Sequence, residues 1–271
     1  MGAQIGPIAS QDTYRTQPDR RRSLLSGIFL RPVITFYPQV FGIVAMNALK
    51  ASRGKYGDAE WVSSSIDILH AIENVGITVE MTGMDHIRKT AGPVVLIGNH
   101  MSTLETFVLP GVIQPVRPVA FVVKDSLLTH PVFGPVMRSR DPIVVGRVNP
   151  REDLRAVLEG GARRLSSGIS VIIFPQSTRS VAFRPEEFNS LGIKLASRAG
   201  VPVIPIALKT DAWGIGSRIK DIGRIDPSKK VHFAFGEAMA VEGRGHDEHE
   251  RVVRFIREHL ERWEKEDADT K

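Results

Sequence analysis

The chain of 271 residues is 42% hydrophobic and 24% charged, which excludes a disordered polymer and leaves room for one large α/β domain with an extension. Thirty-six Lys and Arg against 30 Asp and Glu give a net charge of +6, favouring anionic partners such as phospholipid surfaces, phosphorylated acceptors or nucleic acid. Nucleic acid is disfavoured, because only 7% of residues are aromatic and no binding motif is present, and the absence of Cys excludes a disulfide framework, a thiolate nucleophile and a cysteine metal site.

Residues 1–31 are polar and basic, with Arg15, Arg20, Arg21, Arg22 and Arg31, and no charge follows from Pro32 to Leu49. A straight helix across a bilayer needs roughly 20 apolar residues, and Pro38, Gln39 and Asn47 weaken a stretch already at that limit. We expect an anchor in the membrane interface, peripheral or monotopic on the cytoplasmic face, with Tyr37, Arg31 and Lys50 at headgroup level. The alternative is a helix packed on the rest of the protein. A cleaved signal peptide fits poorly, since the apolar core begins late and no small-x-small site follows it. Trp61, Ser65, Ile68, Ile72 and Val75 recur at helical spacing, giving a second amphipathic helix that covers a sheet or lies on lipid.

Pro93 to Ile97 is short, β-branched and bounded by Gly92 and Gly98, the pattern of a buried strand, and Ser102 followed by Leu104, Phe107 and Val108 starts a helix. His100 therefore sits at a strand-to-helix turn, where an imidazole can serve as a general base. Glu105 has two readings: it fixes the tautomer of His100, or it completes a capping box with Ser102.

Val119 to Val123 reads as a strand ending at Lys124, and Pro142 to Val145 as another ending near Arg147. Asn149 and Pro150 are the cap and first position of a helix running to about Leu165. The strand Gly168 to Phe174 runs into Pro175-Gln176-Ser177-Thr178-Arg179-Ser180, where one Arg among small hydroxyl residues suits a phosphate or carboxylate. Val201 to Leu208 is apolar but holds Pro202 and Pro205, so it is expected to be irregular or at a sheet edge. Val231 to Phe235 adds a strand, and Val252, Phe255, Ile256, Leu260 and Trp263 mark a final amphipathic helix, with His246, His249 and His259 read as surface residues and not as metal ligands. Strands and helices alternate from residue 77 onward, which implies a mostly parallel sheet with helices on its faces. Residues 1–76 are read as a basic tail and helical membrane-associating region, and 77–271 as the domain that carries the chemistry. No Walker loop or Gly-x-Ser-x-Gly elbow occurs, and Gly214-Ile215-Gly216 lacks the third glycine of a dinucleotide fingerprint.

Four blocks, Asn99-His100 through Glu105, Pro142 through Arg147, Phe174 through Ser180 and Val201 through Ala207, occur in the order and spacing of a known pattern. Over residues 77–240 the chain resembles the glycerolipid acyltransferase family typified by 1-acylglycerol-3-phosphate acyltransferases. The resemblance implies an acyltransferase with His100 as general base and Glu105, in place of the family's Asp, as its orienting carboxylate. Arg179 and Arg147, with Lys124 unless that residue is a solvated surface lysine, would bind the acceptor phosphate. Gln176, Ser177 and Thr178 would complete the acceptor site with neutral hydrogen bonds. Gln176-Ser177 replaces the family's Glu-Gly, which puts the acceptor in question. The resemblance further implies acyl-CoA or an acyl carrier protein thioester as donor, a lysophospholipid such as lysophosphatidate as acceptor, and no metal or bound cofactor. The same chemistry on an aminolipid or glycolipid, and a non-catalytic lipid-binding protein on the same fold, are the alternatives.

Overall fold

The structure, a computed structural model, describes residues 8–17, 32–176 and 178–269. Arg20, Arg21, Arg22, Arg31 and Ser177 lie outside the described residues.

The strands are β1 (Tyr14–Arg15), β2 (Val79–Thr82), β3 (Val95–Gly98), β4 (Val119–Lys124), β5 (Ile143–Val145), β6 (Ser170–Ile173), β7 (Val203–Lys209) and β8 (Val231–Phe235). They form a sheet of order β1-β2-β8-β7-β3-β6-β4-β5, parallel except for the β1/β2 and β7/β8 pairs. The central strands β3, β6 and β7 are apolar between their ends, Ser170 and Lys209 standing at the start of β6 and the end of β7, because both faces are covered. Leu96 points into a cluster with the helices α1 (Pro32–Ser52), α2 (Asp58–Asn74) and α4 (Leu104–Ile113), while its neighbours Val95 and Ile97 point into a second cluster. That cluster includes residues of α7 (Pro150–Ser166), α8 (Leu191–Ala199) and α9 (His246–Asp269). Short helices α3 (Met84–Lys89), α5 (Asp125–Thr129) and α6 (Gly134–Ser139) complete the described elements, with a single 3-10 turn at Pro185–Glu187. Asn149 caps α7 as its sequence predicts, accepting from the Arg151 amide at 3.1 Å.

Two expectations are corrected. The proline-bearing strand β7 is central, between β3 and β8, and not at an edge. Its irregularity is local: a bridge joins Val203 to Met239 and the regular ladder begins at Ile206 and Phe235, so Ile204 and Pro205 face three residues, Gly236 to Ala238. The donor that Pro205 lacks would point at this bulge, where a ladder bond is already interrupted. Of the three histidines expected at the surface, only His246 is exposed; His249 and His259 are half-buried, the latter 4.1 Å from the Phe255 ring.

The amino-terminal part is docked. Thr16 and Tyr14 each donate a 2.6 Å hydrogen bond to the buried Glu73 carboxylate, holding β1 on the sheet edge. Helix α1 buries Phe36, Tyr37, Val40, Val44 and Asn47, with Phe36 edge-on to Trp213 at 4.8 Å. Its other side carries Ile34, Phe41, Met46 and Leu49, each at least half exposed. Packing on the domain therefore accounts for one face of α1 and leaves an apolar stripe on the other. By length and composition α1 is sufficient to cross a membrane.

His232, on β8, is buried against the Trp263 ring at 4.9 Å. Burial pushes its imidazole down from 6.5 to about 4, so its Nδ1, 3.5 Å from Glu80, makes a contact between a neutral ring and a carboxylate at neutral pH. Between those two pH values the unfolded chain binds a proton that the folded one refuses, so stability falls as pH falls from 6.5 toward 4. His232→Phe keeps the stacking and removes this titration; urea unfolding followed over that range should show a shallower acid loss than the parent protein.

Candidate active site

The carboxyl ends of β3, β4, β5, β6 and β7 lie along one edge of the sheet, as parallel pairing requires. At the end of β3, Asn99 is buried and works as a clamp: its side chain donates to the Leu208 carbonyl at 2.7 Å and accepts from the Leu208 amide at 2.9 Å. This fixes the departure of the chain from β3 relative to β7, and with it the place of His100.

The His100 Nδ1 lies 2.9 Å from Glu105 Oε1. The same oxygen accepts the Met101 and Ser102 amides at 2.7 and 2.8 Å, and Oε2 takes the Ser102 and Thr210 hydroxyls at 2.9 and 2.6 Å. The two contacts expected of Glu105 are both present, since one carboxylate accepts the Ser102 amide and faces the imidazole, although α4 begins at Leu104 after Thr103 and no reciprocal capping box closes there. Burial pushes the Glu105 carboxyl up, but the hydrogen bond and attraction of His100, with the Thr210 and main-chain bonds, outweigh it and leave the pKa below the ordinary 4.5. An ionised carboxylate only accepts, so Nδ1 carries the ring proton and Nε2, on the opposite edge, keeps a lone pair.

The block after β6 builds the other side of the histidine. Phe174 stacks on the imidazole at 4.7 Å with planes 9° apart. Gln176 Oε1 accepts the His100 amide at 2.6 Å, and the Ser180 amide donates to the His100 carbonyl at 2.9 Å. Gln176 is buried and absent from the cavity wall, so the expectation that it meets an acceptor is corrected: it holds the main chain of His100.

His100 lines a cavity of about 730 Å³ together with Lys124, Arg147, Thr178 and Arg179. Apolar lining comes from Phe107, Phe121, Phe133, Met137 and Trp61, a composition and volume suited to a ligand with a polar end and a long apolar part. Arg147 has φ 57°, a conformation that L side chains rarely adopt. It is held there by Asp153 at the start of α7, which accepts the Gly146 and Arg147 amides at 2.8 and 2.9 Å. Arg179 is bonded to Thr103 and paired with Asp221 at 2.7 Å. The tertiary structure thus brings His100, Lys124, Arg147, Thr178 and Arg179 together, 79 positions separating the first from the last.

Sequence reasoning missed Thr210, Phe174 as a ring partner, and Asp221. A signal for Asp221 existed in its glycine-punctuated loop: a Cβ on Gly223 would stand 1.8 Å from the Gly214 carbonyl oxygen, and one on Gly216 2.1 Å from that of Ile219. Those glycines serve close backbone approach and not a dinucleotide.

A strand-end histidine paired with a buried carboxylate thus opens into a cavity that is both cationic and apolar, which suits an amphipathic ligand. The family model described as Acyltransferase matches residues 78–209. The 1-acyl-sn-glycerol-3-phosphate acyltransferase of Pseudomonas aeruginosa is 32% identical over 188 residues, covering 69% of this chain and 68% of that protein. A second such enzyme, from Chlamydomonas reinhardtii, is 31% identical over 130 residues, covering 48% of this chain and 38% of its own length. The crystal structure of the 1-acyl-sn-glycerophosphate (LPA) acyltransferase PlsC from Thermotoga maritima superposes with a TM-score of 0.63 over 85% of this chain and 94% of that one, at 20% identity, and shares the fold. The chain belongs to the glycerolipid acyltransferase family and is an O-acyltransferase.

Thr210→Val removes a buried hydroxyl from Glu105 without changing side-chain shape. Leaving that carboxylate one donor short should cost about 1–3 kcal/mol, read as a lower denaturation midpoint at unchanged m-value.

Proposed function

We propose that this chain transfers a fatty acyl group from an acyl-CoA or acyl carrier protein thioester to the free hydroxyl of a lysophospholipid, 1-acylglycerol-3-phosphate being the acceptor. The observation that carries the reading is the His100–Glu105 pair, whose ring lines the same cavity as four cations, Lys124, Arg147, Arg179 and Lys220, and a set of aromatic side chains. The Pseudomonas and Chlamydomonas relatives, both 1-acyl-sn-glycerol-3-phosphate acyltransferases, support the acceptor.

His100 Nε2 removes the proton from the acceptor hydroxyl as its oxygen attacks the thioester carbonyl. Glu105 stabilises the imidazolium, and the collapsing tetrahedral intermediate breaks its carbon–sulfur bond while the ring returns the proton to the thiolate. Atoms balance without an acyl-enzyme, a metal or a bound cofactor. Arg147, Lys124 and the remaining donors of Arg179 hold the phosphate and so orient the hydroxyl, an effect worth several kcal/mol of barrier. Thr178 adds a neutral donor on the same wall. The exposed apolar stripe of α1 supports attachment to a membrane, on its cytoplasmic face in this reading, from which the lysophospholipid would enter.

The test uses purified protein, a mixed panel of lysolipids including an aminolipid and a glycolipid, and acyl thioesters, with mass spectrometry of the products. Transfer to 1-acylglycerol-3-phosphate supports the reading; transfer only to another headgroup overturns the acceptor. His100→Ala should slow thioester consumption by about 10²- to 10⁴-fold with the fold intact by circular dichroism, and unchanged turnover would eliminate the base. Arg179→Ala should raise the acceptor KM by about tenfold or more and spare that of the donor, and an effect confined to the donor would contradict the headgroup role.

A further inference from the structure

Among the described residues that line the cavity, Asp221 is the one acidic side chain, sharing the lining with Lys124, Arg147, Arg179 and Lys220. It is paired with Arg179 at 2.7 Å and also accepts the Thr103 hydroxyl at 2.9 Å, with the Arg179 side chain 16% exposed and that of Asp221 41%. A carboxylate at that distance cancels most of the positive charge Arg179 would present to an arriving anion.

The position of Asp221 is built. Its loop leaves β7 and is drawn closed by the bridge between Trp213 and Ile225 and by the Gly214 amide on the Arg224 carbonyl at 2.9 Å. The Trp213 indole donates to the Asp221 carbonyl at 3.1 Å, and the Tyr37 hydroxyl of α1 donates to the Gly223 carbonyl at 2.7 Å. Trp213 is itself wedged between Phe36 at 4.8 Å and Phe107 at 6.0 Å. The backbone on both sides of Asp221 is thus tied to α1 and α4, and its carboxylate is delivered to Arg179 by packing.

We propose that Asp221 is an acceptor-specificity residue: a resident counter-charge on Arg179 that disfavours doubly charged phosphomonoester headgroups relative to singly charged phosphodiester ones. A dianion reaching for Arg179 meets Asp221 beside it, whereas a phosphodiester brings half the charge and is repelled less. This inference rests on the acyltransferase reading for its substrate class and on the Arg179–Asp221 geometry for its direction.

Asp221→Asn separates charge from shape, since the Asn carbonyl still accepts from Arg179 and Thr103 and the backbone ties of the loop are untouched. Kinetics with 1-acylglycerol-3-phosphate and with 1-acylglycerophosphoglycerol, a singly charged phosphodiester, should show the acceptor KM of the former falling about five- to tenfold and that of the latter by less than about twofold. The difference should read in KM rather than kcat and shrink as salt rises from 0.05 to about 0.5 M. A phosphomonoester KM that is unchanged or raised in Asp221→Asn overturns the proposal and makes Asp221 a holder of Arg179. Equilibrium binding of both lysolipids without an acyl donor, in parent and variant, reads the same preference independently of turnover. A protein that binds but transfers nothing would refute the acyltransferase assignment of the acceptor while this comparison still decides the role of Asp221.

Discussion

A single buried carboxylate organises the site. Glu105 is fully removed from solvent and gathers two amides, two hydroxyls and an imidazole on its two oxygens. A lone charge in that position would be costly, and its donors offset the loss of water. Because the oxygen that satisfies amides ahead of α4 is the one that faces His100, the carboxylate cannot swing away from the ring without losing those amide bonds. The partner offered to the histidine is therefore as durable as the local fold, and a side chain one methylene longer than the family's Asp still reaches the ring.

The parallel sheet supplies the second constraint. Strands that run the same way end at the same edge, so the turns after β3, β4, β5 and β6 bring His100, Lys124, Arg147 and Arg179 to one cavity wall. Asn99 and Gln176 stabilise this convergence by bonding main chain to side chain across strands. The strained backbone at Arg147 belongs to the same arrangement, held by Asp153 from the first turn of α7. Helix α1 closes another part of the cavity with Ile43 and Val44 while Phe36 and Tyr37 grip the loop that carries Asp221. Its outward apolar face and the cationic wall of the cavity are thereby mechanically connected.

Much of the fold could be read along the chain. Val94 to Ile97, Gly168 to Phe174 and Val231 to Phe235 are short apolar runs with clear stops, and each marks a strand, β3 extending one residue further to Gly98. Asn149-Pro150 marked a helix start because the cap and the fixed φ of proline act locally. The Pro205 strand was legible as irregular but not as central, since whether a missing donor meets a partner or a bulge depends on β8 and the residues after it, 26 or more positions later. The two readings of Glu105 looked exclusive in sequence because spacing does not reveal that one oxygen serves both.

By itself the sequence determined the alternation of strands and helices, the strand-end location of His100 and of Arg179, and the presence of an uncharged amino-terminal stretch, all of which follow from local periodicity and turn chemistry. Only the tertiary structure decided that Gln176 supports the backbone, that Thr210 completes the bonds to Glu105, and that Asp221 stands against Arg179. Each of those contacts joins residues at least 42 positions apart. Such pairs leave no periodic trace in a single chain, because what brings them together is the packing of whole strands and helices.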